Sequence, residues 1–163
     1  MQTPDPYSPP APRGGATAPA TGWPARADGI WALGERLTWV TGLVLALSAF
    51  MGWYDGEAEG IGTLSVTGWN TGWAGITVFF LGLAVLALVA LREAGIALPA
   101  SVPESLVVIA VGSIATIVVL LRLLSIPEEF LPADGRAIGI WISLLAAIGV
   151  VVAGLLQASE ELP

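Results

Sequence analysis

The chain has 163 residues, 55% of them hydrophobic and only 12% charged, where an average soluble domain carries about 25% charged residues. Thirteen acids against six bases give a net charge of −7, which leaves no basic footprint for nucleic acid. Cysteine and histidine are absent. That excludes disulfides, thiolate and imidazole metal ligands, thiol nucleophiles and a histidine general base, and no catalytic, cofactor-binding or metal-binding residue is expected.

Residues 1–28 hold seven of the twelve prolines, with Ala, Gly and Thr between them. Such a stretch cannot bury enough apolar surface to offset its ordering entropy, so the composition predicts a disordered tail with polyproline character. It has no apolar core of a signal peptide. Residues 29–36 read as a short interfacial run-in to a transmembrane domain spanning residues 29–157. Four long apolar runs follow, at about 37–53, 71–91, 104–124 and 138–156. Each approaches the length of about 20 residues that a hydrocarbon core of roughly 30 Å requires. Backbone polar groups in lipid must be satisfied within each segment, so the expected fold class is an all-α membrane protein, a four-transmembrane-helix bundle. Asn70 or Thr71 is placed to cap the second helix, and Pro103 with Glu104 opens the third. Residues 158–163 form a short acidic tail.

The first loop, residues 54–70, carries Asp55, Glu57 and Glu59 and no base. Its stretch 63–67 alternates in character and is β-prone. The loop at 125–137 holds two prolines and four charges. Arg26, Arg36 and Arg92 lie on one side of the four runs, and Arg122 and Arg136 on the other. Positive residues favour the cytoplasmic side, so both termini are expected inside the cytoplasmic membrane of a bacterium and both acidic loops outside. Trp39, Trp53 and Trp73 lie near run ends, where indole rings anchor at headgroup level.

In lipid, small residues let helices approach. Gly135, Gly139, Ser143 and Ala147 recur every four residues, and Gly149 with Ala153 makes a second pair. Gly75 and Gly82 mark the second run, and Gly112 and Thr116 the third. These stripes serve either packing within the bundle or a face for a membrane-protein partner or homo-oligomer. The spans contain hydroxyls such as Thr38, Thr41, Ser48, Thr77 and Ser143 but, beyond Glu104 at the start of the third, no Asp, Glu, Lys, Asn or Gln. Hydroxyls can bond a carbonyl one turn back, and intramembrane ionisable groups usually mark transport paths. Their absence from the middle of the runs weakens a pump or ion-coupled transporter. Arg122, flanked by leucines, snorkels to the interface or ties to Asp55 or Glu128. Asp55 to Gly60 has the outline of a calcium loop's first half. Val66 stands where the loop needs its bidentate Glu, so a solvated acidic loop is the simpler account. Glu128, Glu129 and Asp134 lack any companion nucleophile or base.

Residues 34–54 end in Phe50, Trp53 and Tyr54, and the first loop adds Gly68-Trp69. In these features the chain resembles a group of small four-helix membrane proteins of high-GC, actinobacterial-type bacteria. The resemblance implies architecture and envelope location over about residues 34–157 and no particular activity. By layout alone the chain is similar to tetraspan and claudin-like proteins. The function expected is that of a non-enzymatic scaffold or accessory subunit packing against another membrane component. The alternative is a small transporter or channel subunit acting as an oligomer.

Overall fold

The computed structural model describes residues 30–58, 62–96, 103–125 and 133–161; the proline-rich tail and the carboxylates Glu59, Glu128 and Glu129 lie outside them. Four α-helices are present among the described residues: α1 (Ile30–Ser48), α2 (Trp73–Glu93), α3 (Glu104–Leu124) and α4 (Ile138–Glu161). Three strands accompany them, β1 (Gly52–Ala58), β2 (Gly62–Thr67) and β3 (Ala133–Arg136).

The molecule is mostly helical, and α2, α3 and α4 are long and apolar enough to cross a membrane. At about 1.5 Å per residue, the 21 residues of α2 reach roughly 32 Å. The count of such helices among the described residues is three and not four. The helix outside that count is α1. It begins at Ile30, takes in the run-in expected to precede it, and so carries Glu35 and Arg36 in its second turn. It also stops at Ser48, five residues before the expected end at Trp53. The N–H groups of Phe50 and Met51 turn back to the carbonyls of Leu47 and Ser48 at 3.0 and 3.1 Å. Gly52 then releases the chain into β1. At the other end of the chain, α4 continues to Glu161, through the segment expected to be an acidic tail.

Each helix packs against the next in the chain, and α4 closes the ring against α1. Neighbours run antiparallel. A Cβ added at Gly42 would meet Val85, and one added at Gly82 would meet Ala46. Gly112 likewise faces Val150 and Val151, while Gly154 faces Ile109. The core between them consists of Leu45, Val78, Val85, Val108, Val119, Ile140 and Val150, with Ala74, Ala115 and Ala147 admitting close approach.

The strands form one antiparallel sheet in the order β2-β1-β3. It sits at the bundle end where α1 and α3 finish and α2 and α4 begin. The β-prone stretch 63–67 is β2, as its alternation implied. Its partner β1 begins inside what the hydrophobic run assigned to helix. Gly135 also leaves the expected helical stripe: it lies in β3, paired with Asp55, with open space about its α-carbon. A continuous apolar or small-residue run does not distinguish a helix from the strand that leads into it.

Candidate functional site

Among the described residues, the sheet-capped end of the bundle gathers many of the directed polar contacts and the aromatic ring pairs. It is built around Trp53. Expected to anchor at an interface, this residue is instead wholly buried. Its indole N–H donates to the Ser48 carbonyl at 3.0 Å, satisfying one of the carbonyls that the end of α1 leaves open. Its ring lies against Gly68, where a Cβ would come within 2.5 to 2.8 Å of three ring atoms. Gly68 opens a short 3-10 turn, Gly68–Thr71. The backbone N–H groups of Gly68 and Trp69 bond to Met51 and Ala49 at 3.0 and 2.7 Å, so the turn is tied to the end of α1. Neither Asn70 nor Thr71 caps α2. Gly72 occupies the cap position without a side-chain bond, and Thr71 donates to the Gly68 carbonyl at 2.6 Å.

Tyr54, the next residue, joins the sheet to α3. Its hydroxyl donates to the Arg122 carbonyl at 2.7 Å. Burial pushes its phenol above the ordinary tyrosine range, and the positive charges of Arg122 and Arg136 partly counter that. The Arg122 guanidinium reaches across to the 3-10 turn before α2 and donates from Nη2 to the Thr71 carbonyl. Its partner is therefore a backbone oxygen, and not the Asp55 carboxylate that the sequence suggested; Glu128 lies outside the described residues. Arg136 donates from Nε to the Leu123 carbonyl at 2.7 Å. Two arginines thus stitch loops and helix ends together through main-chain acceptors. The Tyr54 hydroxyl and Arg136 both donate to carbonyls of the last turn of α3, where exposed carbonyls favour positive charge and donors.

Beside this network stands an aromatic ledge. Phe50 stacks on Trp69 at 5.3 Å and 16°, and both meet Phe79 edge-on, at 5.3 and 5.4 Å. Phe80 continues the row at 5.4 Å from Phe79. Such pairs prefer these offset and T-shaped geometries because ring edges are positive and faces negative. Phe50, Trp69 and Phe80 remain exposed, as does the nearby Trp73 at 62%. The Phe50 and Trp69 signals were visible in the sequence; their meeting with Phe79 was not, since it depends on the turn that folds Trp69 back over α2.

The remaining candidates line the helix seams. Gly139 faces the carbonyl of Gly52, and Gly82 the backbone of Ala46. Gly75 faces Gly68, Gly112 faces α4 and Gly149 faces Thr41. Ala147 and Ala153 are fully buried. The hydroxyls behave as anticipated: Thr38, Thr41, Thr77 and Thr116 donate to carbonyls four residues back at 2.7 to 2.8 Å. Ser143 lies 2.9 Å from the Gly139 carbonyl and also 2.8 Å from the Ser48 hydroxyl on α1. Trp39 is exposed on α1, close to where its uncharged portion begins.

One buried polar residue was missed. Gln157 was expected to return the chain to water, yet it is 5% exposed. Its amide donates to Thr38 Oγ1 at 2.9 Å, and its Oε1 is buried without a partner. The signal was the spacing: Gln157 continues the four-residue stripe of Gly149 and Ala153. Among the described residues no group of three or more His, Cys, Asp or Glu could hold a metal ion. The chain matches no family model, no curated protein and no solved structure.

Proposed function

We propose that all four helices cross a bacterial cytoplasmic membrane with both termini inside, and that the chain acts without catalysis as a scaffold or accessory subunit of another membrane component. The aromatic ledge of Phe50, Trp69, Phe79 and Phe80 carries this reading. It is rigid, because each ring is held by another, and it is exposed where the helices give way to the sheet. Pre-ordered aromatic surface loses little side-chain entropy on binding, which is why aromatic residues are enriched at interfaces. The small-residue stripe through Gly139, Ser143 and Ala147 is already occupied by α1 and β1, so it is not the docking face.

The inclusion of α1 as a span rests on its packing between α2 and α4. Its Glu35 and Arg36 fall near the end marked by Thr38 and Gln157, where charged groups reach headgroups. The arginine distribution supports the orientation. The test is photo-crosslinking from residue 69 in native membranes, with residue 145 on the exposed face of α4 as control. One recurrent membrane protein captured from 69 and not from 145 is the expected result. Capture of lipid alone from both positions would remove the scaffold reading. Single cysteines at Thr63 and Ser159, in a chain otherwise free of thiols, should label from outside and inside respectively.

A further inference from the structure

The strand β2 pairs with β1 on one edge and, among the described residues, with nothing on the other. Its first four residues are exposed. Sheet edges in soluble surroundings are normally blunted by charge, proline, a bulge or brevity, because their free N–H and C=O groups template another strand. None of these protects β2. Its six residues, GTLSVT, contain neither charge nor proline, and the irregularity in its pairing with β1 lies on β1. The opposite edge, β3, is four residues long and contains Asp134 and Arg136.

We infer that the free edge of β2 is a self-association edge, which joins the β2 of a second copy in an antiparallel pair about a two-fold axis. An antiparallel pair of identical strands is closed and self-complementary. Centred on Ser65, the pairing sets Thr63 opposite Thr67 and Leu64 opposite Val66, with Ser65 facing its own counterpart. Hydroxyl meets hydroxyl on one face and apolar meets apolar on the other, the combinations that stabilise cross-strand neighbours. Charge also permits it. The chain as a whole is strongly acidic, which opposes self-association in general, but the paired strands bring no charge together. The two copies of β1, which carries Asp55, would lie three strand spacings apart. That is about 14 Å, beyond the Debye length of about 8 Å at physiological ionic strength. This inference stands apart from the scaffold reading, since it uses a different surface and is read by a different assay.

The test uses the absence of native cysteine. Ser65→Cys, a near-isosteric change, is treated in membranes with a short bis-maleimide; Gly135→Cys on β3 is the control edge. A crosslinked dimer from position 65 and not from 135 is expected. Leu64→Lys and Leu64→Glu, each placed on the Ser65→Cys background, should lower that dimer several-fold, and co-expression of the two should restore it as a mixed dimer. Restoration by opposite charge cannot come from a variant that has merely failed to fold. A position-65 thiol that remains monomeric, that crosslinks to a different protein, or whose dimer ignores the charge at 64 would overturn the inference.

Discussion

Replacing Gly82 by alanine tests whether close helix approach, rather than apolar content, sets the bundle's geometry. A Cβ built at Gly82 lies 2.6 Å from the backbone nitrogen of Ala46, 2.9 Å from its Cα and 3.0 Å from its Cβ, where ordinary contact begins at 3.4 Å. The main-chain atoms in the way cannot rotate aside, so α1 and α2 must separate locally by about 0.8 Å. A gap of that size forfeits roughly a quarter to a half of the dispersion energy of the contacts it opens, and overpacked cores lose typically about 1–3 kcal/mol. Alanine's better helix propensity returns about 0.8–1 kcal/mol. The expected net effect is destabilisation by up to about 2 kcal/mol, and Gly82→Leu should cost more. Unfolding in mixed micelles by increasing SDS, followed through the seven tryptophans, measures it. Ala87→Leu, on the exposed face of α2, should change little. A Gly82→Ala protein more stable than wild type would mean that propensity alone acts at this site, and the close α1–α2 contact would be wrong.

Trp53→Phe should cost on the order of 1–3 kcal/mol, because it removes the indole bond to the Ser48 carbonyl, leaving that oxygen only the Met51 N–H, and vacates part of a filled site; the same titration reads it. Gln157→Leu should be close to neutral. It gives up an interhelical bond averaging about 0.6 kcal/mol in membrane proteins but also removes the buried, unpartnered Oε1. Thr38→Val should cost more than Gln157→Leu, since it strands the amide as well; the reverse order of thermal stability would contradict that account. Tyr54 provides a pH prediction. Its folded pKa lies above the unfolded value of about 10, so its contribution is intact below that value and declines as pH rises from about 10 through the folded pKa. Tyr54→Phe should abolish this alkaline loss while lowering neutral-pH stability by about 1 kcal/mol, as melting curves between pH 8 and 11 would record.

Much of the candidate site could be named from the sequence, but its connections could not. Phe50, Trp53, Tyr54, Gly68 and Trp69 stood out as a cluster of aromatic and glycine residues around the first loop. Their roles depended on where α1 ends, and an apolar run carries no mark at the point where helix becomes strand. Trp53 was therefore placed at a lipid interface, although the chain turns it inward over Gly68. Arg122 was recognisable as an isolated charge, but its acceptor is the carbonyl of Thr71, and main-chain acceptors carry no side-chain signature.

What the sequence determined by itself was the existence of the apolar helices, their approximate spacing and the small residues along their seams. Those follow from local constraints: hydropathy over some twenty residues, proline and glycine at breaks, and backbone bonds closed within each helix. The run expected at about 104–124 lies in α3, Glu104–Leu124, for that reason. Tertiary structure decided which face of each helix turns inward, the conversion of residues 52–58 and 133–136 into strands, and the burial of Gln157. These depend on partners distant in sequence, such as Gln157 with Thr38 and Tyr54 with Arg122. Such pairs form only when antiparallel packing brings opposite ends of the chain to the same level.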